Sequence, residues 1–289
     1  MSAVTSEAKR RWVILLALAG IVVMSILQYH AVNKHRSLLA IPTLVSDIQS
    51  DMLTLRRNEK DFLARKELLY QQKFLDNYQL IQQNLQRLTT ELQHVNVDPG
   101  VTHRLIEDLE HYRENFLALV ELQTDIGFNH QEGLQGSLRN AIHQVEELLD
   151  LEKNYQLNKE MLTLRRHEKD FLLRLDLSYI DKYEKDLALL RTDLSRAYIM
   201  PSVKSRIDNA LIVYERDFKA LVHAIQQMGL NSDEGLQGKM RASIHHVEDM
   251  LIDLRKATML EVDNVGSNTL MQIMSFALVL VLLVVVLIR

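Results

Sequence analysis

Arg56, Arg57, Glu59 and Lys60 lie almost side by side in the chain, and Arg165, Arg166, Glu168 and Lys169 repeat the same order further along. A guanidinium is a planar fork of donors that matches a carboxylate, so clustered arginines of this kind could do the chemistry of anion binding. A helical wheel set by Met52, Leu55, Phe62 and Leu63 turns Glu59 into the apolar face and Arg56 just beside it, while Arg57 points away. The second cluster repeats this with Arg165 and Glu168. Charges that face a helical interior need a partner or a ligand. One reading is an Arg–Glu pair at i, i+3 that fixes helix register. The other is surplus arginine and lysine converging between helices on an organic anion, with Arg241 and Arg139 supplied by facing helices.

Other chemistries find less to rest on. His143 with Glu146 and His245 with Glu248 have the spacing of carboxylate-bridged metal bundles, but they fall off the apolar stripe set by Leu236, Ile244, Val247 and Leu251. They are read as a solvated face, and no metal or cofactor is expected. There is no Ser/His/Asp set, phosphate loop or glycine fingerprint, so the chain is not read as an enzyme. With no cysteine, thiol chemistry and disulfides are excluded, and a net charge of −4 argues against a nucleic-acid surface.

The elements that position the arginines are helices. Leu, Met, Phe, Tyr and Ile recur at three- and four-residue steps through most of residues 36–268, which predicts an all-α fold. The arrangement is duplicated. Met52-Leu-Thr-Leu-Arg-Arg-Asn-Glu-Lys-Asp-Phe-Leu-Ala-Arg65 returns as Met161-Leu-Thr-Leu-Arg-Arg-His-Glu-Lys-Asp-Phe-Leu-Leu-Arg174, an offset of 109 residues. His111-Tyr-Arg-Glu-Asn-Phe-Leu-Ala-Leu-Val120 resembles Val213-Tyr-Glu-Arg-Asp-Phe-Lys-Ala-Leu-Val222, and the Gly-Leu-Gln-Gly segment at 133–136 returns at 235–238, both offset by 102. The offsets differ by seven, one heptad, whose loss leaves the same helix face toward the core. The repeats are read as about 52–149 and 161–251.

Two uncharged apolar runs, 12–28 and 270–288, approach the roughly 20 residues that span a bilayer. Residues 1–11, with Lys9, Arg10 and Arg11, form a cytoplasmic N-terminus by the positive-inside rule, and the stretch 29–269 is expected outside. No small-x-small cleavage site follows the first run, which is therefore read as an uncleaved anchor. Breaks at 95–100, 127–133, 198–202 and 229–235 leave five helical segments, whereas a chain that returns to the membrane needs an even number of passes. A hidden reversal is placed near 151–158. The expected helices are then 29–92, 101–127, 133–151, 157–196, 201–228 and 235 into the second span. They make two stacked four-helix bundles sharing two long helices, with Arg56 and Arg241 at one level near the membrane and Arg139 and Arg165 at a more distal one.

Two apolar runs bracketing exported helices, with duplicated Leu-x-Leu-Arg-Arg-x-Glu-Lys-Asp-Phe and Gly-Leu-Gln-Gly segments, resemble the helical bimodular (HBM) sensor domain of bacterial methyl-accepting chemotaxis receptors. The resemblance implies a homodimer in the bacterial inner membrane with a periplasmic sensor domain. It implies ligands that are small organic acids, such as malate, succinate or acetate, bound between helices and read out as a helix shift. By position it implies a proximal set of Arg56, Arg57, Lys60 and Arg241, and a distal set of Arg139, Arg165 and Arg166. Such receptors continue into a HAMP domain and a cytoplasmic coiled coil, which this sequence does not include; it is read as truncated after the second span or as a free-standing sensor, with cytoplasmic signalling partners encoded elsewhere. The alternatives are a structural or adaptor helical bundle and the sensor part of a histidine kinase.

Overall fold

The computed structural model describes the backbone of residues 2–95 and 97–288. It describes side chains over 14–260 except 16, 17 and 96, together with 271, 274, 275, 278 and 279. Among the described residues the fold is all-α, with eight helices in chain order: α1 (Ser2–Arg65), α2 (Leu68–His94), α3 (Gly100–Ile126), α4 (Gly133–Leu151), α5 (Tyr155–Arg174), α6 (Ser178–Arg196), α7 (Pro201–Met228) and α8 (Gly235–Ile288). Residues 12, 13, 16 and 17 of the first expected span, and most of the second, lie outside the described side chains. Among the described residues no helix is long and apolar enough to cross a membrane.

The hidden reversal falls at residues 152–154, between α4 and α5. Asn154 caps the new helix by accepting from the Leu157 N–H at 3.2 Å. The two long helices expected over 29–92 and 157–196 are a correction: each is two helices. His167 Nε2 lies 2.8 Å from Asp186, whereas nineteen residues of straight helix would separate them by roughly 28 Å. Asn84 likewise reaches Asp51 at 3.0 Å. The chain therefore folds back just after each copy of the repeated motif. Lys66 and Leu175, which are equivalent positions, take left-handed backbone at φ 57° and 53°. Their N–H groups close the preceding helix onto Phe62 O and Phe171 O, both at 2.7 Å.

The chain divides into two compact units: residues 1–57, 75–108 and 246–289 form the first, and 58–74 and 109–245 the second. In the first, Leu38, Ile41, Val45, Ile48, Met52 and Leu55 of α1 are buried together with Ile81, Leu85, Leu88, Leu105, Val247 and Leu251. Polar contacts close a ring of four helices around that core. Asp51 meets Asn84, Thr89 meets Thr102, Asp108 meets His246, and Arg56 meets Glu248, which orders the helices α1–α2–α3–α8.

The second unit holds an equivalent ring. Arg165 meets Glu146, His167 meets Asp186, Arg191 meets Glu215 at 2.8 Å, and Ser137 meets Asp217, giving the order α4–α5–α6–α7. Its core includes Leu157, Met161, Leu164, Phe171, Tyr183, Leu187, Leu190, Tyr214 and Phe218. The aromatic set repeats too. Phe62 meets Phe116 edge to face with centroids 5.6 Å apart, and Phe171 meets Phe218 the same way at 5.9 Å. Each ring thus takes three consecutive helices from one repeat and its fourth, α4 or α8, from the other. The duplication is an exchange.

Candidate functional site

The second unit contains a cleft of about 150 Å³ lined by His130, Gln135, Leu138, Arg139, Ile142, His143, Arg165, Glu168, Lys169 and Leu172. Two helices build it. Gly133 opens α4, and the i, i+3, i+4, i+7 spacing of Gln135, Leu138, Arg139 and Ile142 places them on one face of it; Arg165, Glu168, Lys169 and Leu172 line the facing side of α5.

Glu168 is the fixed point of this cleft. It is only 3% exposed, and its carboxylate accepts from the Tyr214 hydroxyl at 2.7 Å and from Lys169 Nζ at 2.8 Å. Burial, with the Glu168 charge beside it, holds the Tyr214 phenol well above its ordinary pKa. The phenol therefore stays protonated and donates. Arg165 donates through Nη1 to Glu146, whose other oxygen lies 3.1 Å from His143 Nδ1. Arg139 is exposed and has no hydrogen-bonding or ionic partner among the described residues. Three cations, Arg139, Arg165 and Lys169, face two carboxylates, Glu168 and Glu146, which leaves one positive charge uncompensated among these five groups.

Of the distal set, the structure brings Arg139 and Arg165 to one cleft. Arg166 is exposed and lines a separate shallow groove with Tyr155, Lys159 and Leu162. The proximal set is divided between the units: Arg56 and Arg57 belong to the first, Lys60 and Arg241 to the second. Arg56 Nη1 donates to Glu248 at 2.8 Å, and Arg57 is exposed. Lys60 lies 2.7 Å from Glu59, which also accepts from Tyr112, repeating the Glu168 arrangement. Arg241 Nη1 is held by Asp233 at 2.7 Å and by Ser232 at 3.1 Å. The equivalent positions beside Arg139 are Gln131 and His130, so that arginine lacks the internal carboxylate its counterpart has.

The i, i+3 Arg–Glu pair, one of the two readings of the repeated motif, is not the pairing the structure has. Arg56 and Arg165 pair across helices with Glu248 and Glu146, while Glu59 and Glu168 go to tyrosine and lysine. The His-x-x-Glu segments read as a solvated face therefore supply the carboxylates that hold both arginines. A signal was present, since Arg56 and Arg165, Glu146 and Glu248, and Glu59 and Glu168 with their tyrosines all recur at matching offsets. Lys169 and His143 were missed as members of the cleft; Lys169 is the counterpart of Lys60 and could have been found by that equivalence. Among the described residues no cluster of His, Asp or Glu is arranged to hold a metal ion. No protein-family model matches the chain, and no curated protein matches it.

Proposed function

We propose that the chain is a membrane-anchored sensor of the chemoreceptor type that binds a small organic anion in the cleft between α4 and α5. On this reading the apolar runs 12–28 and 270–288 are the membrane anchors, the intervening helices are exported, and two copies associate. The observation that carries the reading is the convergence of Arg139, Arg165 and Lys169 on one small cleft, with Arg139 unpartnered among the described residues. At about 150 Å³ the cleft is below the roughly 300–1,000 Å³ of drug-sized sites. It suits a molecule of a few heavy atoms. An anion drawing Arg139 and Arg165 together would shift α4 against α5, and shifts of order 1–2 Å are typical of helical signalling. The resemblance to helical bimodular sensors supports the same reading.

The test is isothermal titration of the purified full chain with C2–C6 carboxylic acids. Arg139→Ala should weaken binding at least about tenfold, or about 1.4 kcal/mol. It should leave the melting temperature without ligand nearly unchanged, since the side chain is exposed and holds nothing. Arg165→Ala should weaken binding and also destabilise the fold, because Glu146 loses its guanidinium. If no acid binds the unaltered chain, the sensor reading is lost.

One observation favours a second reading, a structural or adaptor bundle. Arg165–Glu146 and Arg56–Glu248 are the same cross-helix pair in both copies, which is what a register-fixing device would require. Under that reading Arg56→Ala and Arg165→Ala both destabilise the chain, and no carboxylate raises its melting temperature.

A further inference from the structure

We infer that the cleft between α4 and α5 selects a short 2-hydroxymonocarboxylate, a molecule with one carboxylate, one neighbouring hydroxyl and a small alkyl group. The inference rests on the proposed anion site and names what that site prefers.

Charge is the first constraint. With one uncompensated positive charge, a single ligand carboxylate balances the cleft, and the unpartnered Arg139 is the fork it would engage. A second ligand carboxylate would have to share this small space with the buried Glu168, and like charges that close disfavour each other's ionised form.

Glu168 itself supplies the second constraint. Its two oxygens have about four lone-pair sites between them, and the structure uses one for Tyr214 and one for Lys169. A carboxylate in a binding cleft with acceptor capacity to spare is complementary to a ligand donor, and a hydroxyl beside the ligand carboxylate is the smallest group that supplies one. An ammonium would donate as well. A zwitterion, however, brings no net negative charge and leaves the cleft's positive charge in place.

The third constraint is the wall. Leu138, Ile142 and Leu172 are the apolar residues of the lining, enough to cover a short alkyl group within about 150 Å³.

The experiment measures binding of four probes to the purified full chain by calorimetry and thermal shift: 2-hydroxypropanoate, propanoate, 2-aminopropanoate and 2-hydroxybutanedioate. The hydroxy acid should bind about tenfold tighter than propanoate, the value of one hydrogen bond to a charged group. The amino acid and the dicarboxylate should both be weaker than the hydroxy acid. Glu168→Gln should shrink the hydroxyl preference to within about threefold and improve the dicarboxylate. Gln131→Asp, which copies the Asp233 latch onto Arg139, should weaken the hydroxy acid and propanoate alike. Because Glu168 is buried and its variant could fail to fold, the ranking on the unaltered chain decides. If propanoate binds as tightly as the hydroxy acid, or the dicarboxylate binds tighter, this inference is overturned. In that case loss of binding in Arg139→Ala would still uphold the anion site. If none of the four binds, this inference is overturned, and the anion site falls with it only when the other C2–C6 acids fail to bind as well.

Discussion

Gly127→Ala should destabilise the chain by about 3 kcal/mol, near the upper end for single substitutions, and Gly229→Ala should do the same. Both glycines stand at the end of a helix with positive φ, 102° and 114°, outside the conformations that side-chain-bearing residues adopt readily. Space is closed as well. A Cβ on Gly127 would sit 2.2 Å from the Glu132 carbonyl oxygen, and one on Gly229 would sit 2.2 Å from that of Glu234. These are backbone atoms that cannot swing aside.

The loops are tight because each closes on itself. Asn129 donates to the Glu132 carboxylate at 2.6 Å and accepts from the Gln131 N–H at 2.8 Å, and Asn231 makes the same pair of bonds with Glu234 and Asp233 at 2.7 and 2.9 Å. Gly136 and Gly238 then fit against the loop backbone, where a Cβ would come within 2.3 Å of Gln131 O and Asp233 O. Gly100→Ala is the control. The three atoms nearest its Cβ would all belong to the Asp98 side chain, at 3.0 Å or more, and the change should stay within about 1 kcal/mol. Denaturant unfolding of the three variants checks this. A Gly127→Ala protein as stable as the Gly100→Ala protein would show that the loop is free to rearrange. Because Arg139 lies near the start of the helix this loop launches, Gly127→Ala should also weaken anion binding in whatever fraction remains folded.

These glycines were legible in the sequence as helix breaks, because Gly and Asn clusters are strong punctuation. The reversals at Lys66 and Leu175 were not. Neither residue is Gly, Pro or Asn, and the apolar rhythm runs straight through the turn, from Phe62 to Phe74 and from Phe171 to Tyr183, all buried. A helical hairpin of two or three residues leaves so little polar sequence that periodicity alone reads it as continuous helix. Its cost, a non-glycine residue in left-handed backbone, is met by tertiary packing, which no local pattern displays. The inward turn of Glu59 and Glu168 was readable from the wheel, and so was the outward turn of Arg57 and Arg166. The partners were not, because Glu146 and Glu248 come from helices exchanged between the repeats, and an offset between copies does not say which helix packs on which.

Asp193→Asn should stabilise the chain at neutral pH and leave it unchanged in acid. Glu160 is 7% exposed, its Oε2 is buried without a hydrogen-bonding partner, and Gln156 donates to its Oε1 at 2.6 Å. Burial raises its pKa, and the neighbouring Asp193 and Asp186 raise it further against the pull of Gln156. The equivalent site in the first unit is Asp51 with Asn84, where the amide donates at 3.0 Å and works against the rise that burial causes in Asp51. The second unit therefore asks for a proton where the first has an amide.

An acid whose pKa is raised by folding contributes its stability fully below the unfolded value, about 4.3 for glutamate, and loses it as pH climbs through the folded value. The unaltered chain should accordingly lose stability at this site as pH climbs above the unfolded value. The amide introduced by Asp193→Asn would supply the missing donor without a charge, so the variant should melt about 3 °C higher at pH 7.5, roughly what 1 kcal/mol is worth in a domain of this size. At pH 4 the two proteins should melt together. Thermal unfolding followed by circular dichroism across that range is the measurement. A gain of equal size at both pH values would mean that the substitution improves packing and relieves no charge. A loss at pH 7.5 would mean that Asp193, ionised, is needed by a partner on α6 or α7 more than it is opposed by Glu160.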